Sequence, residues 1–214
     1  MVVLLHGFLH RKKSTGISKD RSIGIRRMME SRDLMTKERI ERAAVALFSR
    51  LGYDGVGMRA IADEANIAVS VIYYYFKNKE VLYRDVVLSF FERVMEEAKH
   101  YIESRQGEEL KVLAFGLLES ALNLSVEQKS RLKIAVYEIM GFGKTNLLRA
   151  ELNALYKQYE MIFYSFFWEK LKRKEESFAS SRVLFSYLSG KVAETVIKGT
   201  LPMDTIESDL SVLC

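Results

Sequence analysis

Proline and cysteine are nearly missing from this chain of 214 residues, which has one of each, Pro202 and the terminal Cys214. A single cysteine excludes an intrachain disulfide, so an oxidising compartment is not indicated. One proline leaves few places where a helix must break, and with 49% hydrophobic residues this points to an all-α chain. His6, His10 and His100 are too scattered for a metal cluster, and no metal or cofactor is expected. No apolar run reaches the roughly 20 residues of a membrane span. The apolar start, MVVLLHGF, carries no preceding Lys or Arg and no evident small-residue cleavage site, so a secretory leader is not expected. A nucleophile–base grouping and a glycine-rich phosphate loop are also missing, which disfavours an enzyme. The expectation is a cytoplasmic, non-membrane, helical protein with a small head and a larger core-bearing domain.

Charge is present but unevenly placed. The net charge of +5 lies wholly in residues 1–35, which hold eight Lys/Arg and three Asp/Glu. The remaining chain has 25 of each sign. Residues 1–35 read as a basic extension, either disordered or lying upstream of the true start, since Met28, Met29 and Met35 just precede the first strongly patterned helix. A basic arm following DNA is the competing reading.

Residues 36–83 carry the strongest local pattern. Ile40, Ala43, Ala44, Leu47, Phe48 and Leu51 recur at three- and four-residue steps, giving one apolar helix face. Thr36 is the expected N-cap of that helix and Gly52 its stop. Residues 53–57 form a loop in which Val56 can plug the core. Met58 to Ala65 reads as a short helix with Ile61, Ala62 and Ala65 inward. Asn66 falls where the chain must turn, in a conformation asparagine tolerates better than most residues. A third helix, Ile67 to Phe76, buries Ile72 and Phe76 and projects Val69, Ser70, Tyr73 and Tyr74 from other faces. Two short helices across so tight a turn make a helix-turn-helix, whose second helix enters the major groove. Asn78 then caps a fourth helix. Lys79 puts a cation at its positive end, an arrangement that a bound phosphate would relieve.

The order of these residues resembles the N-terminal domain of the TetR (tetracycline-repressor-like) family of bacterial transcriptional regulators. The family's turn, recognition helix and tyrosine-any-tyrosine-phenylalanine run fall on Asn66, Ile67, Ala68, Tyr73, Tyr74, Tyr75 and Phe76. The resemblance implies that Val69, Ser70, Val71 and Tyr73 face base edges or sugar-phosphate, and that Tyr74, Tyr75 and Lys79 hold the phosphate backbone. The chain departs from the family at Ala68, which replaces a hydroxyl N-cap worth about 1 kcal/mol, and at Gly57, where Ser or Thr is usual. Val69 and Val71 replace polar groups on the reading helix, which shifts readout from hydrogen bonds toward thymine methyl contacts.

Residues 84–214 are helical almost throughout and resemble the ligand-binding and dimerisation domain of that family in helix count and order only. Helices are expected over 80–104, 108–124, 127–140, 146–173, 177–198 and 204–213. In the last of these Asp204 and Glu207 resemble a capping box, and Ile206, Leu210 and Leu213 form a stripe. Tyr156, Tyr159, Phe163, Tyr164, Phe166, Phe167 and Trp168 could line a pocket, although most of such a stripe is ordinarily core. Tyr137, Glu138, Tyr159, Phe163 and Phe167 are the candidate ligand-binding residues. Ser186, Ser189, Gly190 and Ala193 form a small-residue track that the resemblance assigns to a homodimer interface. The resulting reading is a homodimeric repressor on double-stranded operator DNA, released by a small hydrophobic effector. The alternative is a dimeric DNA-binding protein without a sensor, whose second domain serves only dimerisation or a protein partner.

Overall fold

The computed structural model describes residues 21–141, 147–171, 176–198, 206 and 208–210, which fold into helices with no strand among them. The helices are α1 (Arg21–Leu51), α2 (Met58–Glu64), α3 (Val69–Tyr75), α4 (Lys79–Glu103), α5 (Leu110–Leu122), α6 (Val126–Met140), α7 (Arg149–Leu171) and α8 (Glu176–Lys198). The chain divides into two compact units, Met1–Val86 and Val87–Cys214. This is the all-α architecture of a helix-turn-helix head and a larger helical region.

In the first unit the apolar stripes do what their spacing predicts except at Leu51, the last residue of α1, which is 53% exposed. Ile40, Ala44, Phe48, Ile61, Ile72, Phe76 and Leu82 are all buried, and Val56 fills the core from the loop. Gly52 ends α1 with a φ of 73°, its N–H returning to the Phe48 carbonyl at 2.9 Å. Asn66 takes a φ of 51° between α2 and α3. Its cost is offset by bonds from its own N–H to Asp63 and from the Ile67 N–H to Ala62. Asn78 caps α4, its side-chain oxygen accepting the Val81 N–H at 2.9 Å. Ala68 and Gly57 give their helices no side-chain cap, as their residue types require.

The start of α1 departs from expectation. Thr36 does not cap the helix; its hydroxyl donates to the Arg32 carbonyl one turn back, inside a helix that begins at Arg21. Extending a helix already nucleated on a packed segment costs little per residue, so residues 21–35 can be helical without a buried face of their own. Side chains 24–35 are all exposed. The reading of residues 1–35 as a structureless tail therefore does not hold for 21–35, and residues 1–20 lie outside the described residues. The third helix also begins later than Ile67, at Val69, because the intervening Ala68 is still extended, with ψ 142°.

The second unit is built on α8, which packs against α5, α6 and α7. Its core joins Tyr101 and Ile102 of α4, Leu110, Leu113 and Leu118 of α5, Tyr159, Phe163 and Phe167 of α7, and Leu184, Phe185 and Leu188 of α8. Gly116 lets Tyr101 lie against bare α5 backbone; a methyl group there would overlap the tyrosine hydroxyl. Ser125 and Gln128 form a capping box at the start of α6, a signal passed over in the sequence, and Gly141 ends that helix with a φ of 77°. Ile206 and Leu210 are fully buried, as their spacing predicts. Asp204, Glu207 and Leu213 lie outside the described residues.

Candidate nucleic-acid interface

The outer face of α3 is set by two residues that point the other way. Ile72 and Phe76 are buried four residues apart, which turns Ser70, Tyr73 and Tyr74 outward. Tyr73 is 52% and Tyr74 75% exposed, while Val69, Val71 and Tyr75 are half-buried. Leaving two tyrosine rings in water forgoes burial that elsewhere in the chain stabilises the core. Tyr74 and Tyr75 meet edge to face, with centroids 5.0 Å apart. The structure thus brings six of the seven candidate DNA contacts, Val69, Ser70, Val71, Tyr73, Tyr74 and Tyr75, onto one seven-residue helix.

Two of the candidate phosphate contacts already have partners. Tyr75 donates its hydroxyl proton to Asp33 Oδ1 at 2.8 Å, joining α3 to α1. Desolvation and then the Asp33 carboxylate push the Tyr75 pKa above the ordinary tyrosine value. Lys79, the seventh candidate, donates from Nζ to the Tyr53 carbonyl at 2.9 Å and the Val56 carbonyl at 3.0 Å, and lies 4.1 Å from the Tyr53 ring centroid. Its ammonium therefore fastens the loop between α1 and α2 to the start of α4. A third N–H remains by count of donors, since an ammonium has three. The partners Asp33, Tyr53 and Val56 were not foreseen for these roles, because bonds between residues far apart in sequence leave no periodic signature. Nearby, Lys37 bridges Asp85 at 3.0 Å and Glu41 at 3.5 Å, and the Asp85 carboxylate chiefly raises its pKa.

The candidate ligand-binding residues of the second unit fall into two settings. Tyr159, Phe163 and Phe167 share the core, where Phe163 lies 6.1 Å from Phe167 and 5.4 Å from Phe185, centroid to centroid. Phe167 is fully buried. The Tyr159 hydroxyl donates to Glu96 Oε2 at 3.1 Å, and desolvation together with that carboxylate pushes its pKa up to about 12. Glu138, buried on α6, accepts the Leu148 N–H at 3.4 Å, whereas the adjacent Tyr137 is half-buried with Lys133 5.5 Å from its ring centroid. Trp168 is 44% exposed and lies outside that core. In the small-residue track Ala193 is buried, Ser189 half-buried, and Ser186 and Gly190 exposed.

A small head in which one short helix is turned outward across a tight asparagine turn, joined to a larger all-helical unit, defines a helix-turn-helix protein. Residues 40–86 match the family model described as bacterial regulatory proteins, tetR family. The match covers the head of the chain, and the larger unit lies outside it. Over 87 residues it is 37% identical to the "Probable HTH-type transcriptional regulator YttP" of Bacillus subtilis (strain 168), covering 39% of this chain and 42% of that protein. It is 39% identical over 64 residues to the HTH-type transcriptional repressor KstR of Rhodococcus jostii (strain RHA1), covering 30% of each. The chain thus aligns with less than half the length of these curated relatives. The fold extends further: a transcriptional regulator (TerR/AcrR family) from Aquifex aeolicus VF5 superposes with a TM-score of 0.62 at 20% identity, covering 82% of this chain and 95% of that one. Among the described residues, no helix is long and apolar enough to cross a membrane.

Proposed function

We propose that this protein is a homodimeric, sequence-specific transcriptional regulator that binds operator DNA through α3. The observation that carries this reading is the exposure of Ser70, Tyr73 and Tyr74 on a helix whose opposite face is locked down by Ile72 and Phe76. In this reading Val69, Ser70, Val71 and Tyr73 meet base edges or sugar-phosphate, and Tyr74 and Tyr75 meet the backbone. Lys79 acts first on the loop at residues 53–57 and reaches a phosphate with its remaining proton. One short helix reads too few bases alone, so two heads should occupy successive major grooves about 34–36 Å apart. The exposed Ser186 and Gly190 on α8 leave room for a second copy to approach closely. A gel shift against inverted-repeat and scrambled duplexes at matched salt tests the proposal. Preference for one inverted repeat is expected, and equal affinity for all sequences would sink it.

Repression relieved by a small hydrophobic effector is the finer part of the proposal, supported by the family and by the aromatic richness of α7. Tyr159, Phe163 and Phe167 are buried together in the core of the second unit, where an effector would have to be accommodated among packed rings. The same packing favours a second reading, in which the second unit serves only dimerisation or a protein partner. A thermal-shift screen of apolar compounds, with hits retested for operator release, separates the two. Hits that stabilise the protein but leave operator affinity unchanged would remove the sensor.

A further inference from the structure

The first half of α1 has no place in the reading so far. Residues 24–35 continue the helix beyond the packed head with every side chain exposed, including Ile25, Met28, Met29, Leu34 and Met35 at 59–68%. The stretch is carried as an extension of the packed part of α1, which leaves its whole surface open to a partner. The structure describes one bond from this stretch to another helix, Tyr75 Oη to Asp33 Oδ1 at 2.8 Å, at the end of the recognition helix. Beyond Asp33 the stretch carries Arg26, Arg27 and Arg32 against Glu30 and Asp33 alone. Arg26 lies seven residues before Asp33, two turns along the same face, and so about 10 Å farther along the axis. Arg27 and Arg32 take other faces, so cations surround the helix. The stretch thus has three cations against two anions.

We infer that residues 24–35 form a second DNA-contacting arm, held beside α3 by the Asp33–Tyr75 bond, in which Arg26, Arg27 and Arg32 take backbone phosphates flanking those under α3. The inference rests on the operator-binding reading above. Duplex DNA accounts for the three arginines, which lie on several faces and suit phosphates, whereas Ile25, Met28 and Met29, at i, i+3 and i+4, are the face that a second copy would use instead. The arm adds affinity without sequence preference, because phosphates carry no base information.

The test compares the full chain with a variant carrying Arg26→Ala, Arg27→Ala and Arg32→Ala, on inverted-repeat and scrambled duplexes over a salt series. A control variant loses three cations of the second unit, Lys129→Ala, Lys157→Ala and Lys198→Ala. Circular dichroism and melting establish that each is folded. The arm variant is expected to bind both duplexes more weakly, with the slope of log K against log salt reduced by about 0.9 for each phosphate lost. Its preference for the inverted repeat and the control's slope should be unchanged. A slope equal to that of the wild type, or one lowered equally in the control, overturns the arm. So does DNA-free self-association that depends on Ile25, Met28 and Met29 with the slope unaffected. If the wild type prefers no duplex, the parent reading falls with it; if the wild type does and the arm variant matches it, only the arm falls.

Discussion

The two units of this chain use aromatic rings in opposite ways. In the first, Tyr73 and Tyr74 stand in solvent on α3, while the rings that hold the unit together, Phe48, Phe76 and Tyr83, are buried on other elements. In the second, Tyr159, Phe163, Phe167 and Phe185 are drawn into a single core. An exposed large apolar group on a short, well-anchored helix is a group kept out for contact, whereas a buried ring mainly reports packing. Aromatic content alone therefore marks a site poorly; exposure against a fixed backbone marks it better.

The largest separation between the units should come from Phe167→Ala. Deleting a fully buried ring leaves a cavity that long helices close incompletely, so a loss of about 3–5 kcal/mol is expected. Thermal and urea melts measure it. A loss below about 1 kcal/mol would mean the core around Phe167 is loose enough to collapse, and would revive the expectation of a ready-made cavity there. Tyr74→Ala should behave in the converse manner. Melting should hardly move, because the ring is 75% exposed, while operator binding weakens by about 1–3 kcal/mol, roughly 5- to 150-fold. Unchanged operator affinity would break the contrast between exposed and buried rings.

Lys79 lies between these extremes. Two charge-assisted bonds to the Tyr53 and Val56 carbonyls predict that Lys79→Ala destabilises the first unit, by about 1–2 kcal/mol after allowance for its partial exposure. If the lysine also holds a phosphate, the salt slope of DNA binding falls by about 0.9 as well. Lower melting with an unchanged slope assigns it to the loop alone; a lower slope with unchanged melting would mean the carbonyl bonds contribute little.

The same contrast explains what can be read from the residues. The head is legible almost element by element because its signals are local: Gly52 and Asn66 at left-handed turns, Asn78 as a cap, and Ile72 and Phe76 four apart. The candidate face of α3 follows directly from those burials. What escapes are pairings across sequence distance, Tyr75 with Asp33 and Lys79 with the 53–57 loop, which no periodicity encodes. Thr36 misleads because a hydroxyl caps helices and also bonds back within them; only the residues before it decide, and they are helical. In the second unit the helices are visible, but α7 is apolar on so many sides that its stripe cannot tell core from pocket.

The smallest effect, seen only in alkali, is the loss of the bond between α7 and α4. Tyr159 donates to Glu96, and burial with that nearby carboxylate pushes its pKa up to about 12 from an ordinary value near 10. Folding therefore favours the protonated phenol. The stabilisation is fully present below about pH 10, where the unfolded phenol is also protonated, and is lost as the pH rises toward 12. Tyr164, which donates to Glu160 at 2.6 Å and is likewise pushed up to about 12, adds to the same window. The second unit should thus lose some stability between pH 10 and 12, with the tyrosinate absorbance of these two residues appearing late. In Tyr159→Phe the alkaline loss should be shallower than in the wild type, at the cost of leaving Glu96 with Lys99 as its remaining described partner. Identical stability curves for the two proteins from about pH 9 to 12 would show that the Tyr159–Glu96 bond contributes nothing to holding α7 against α4.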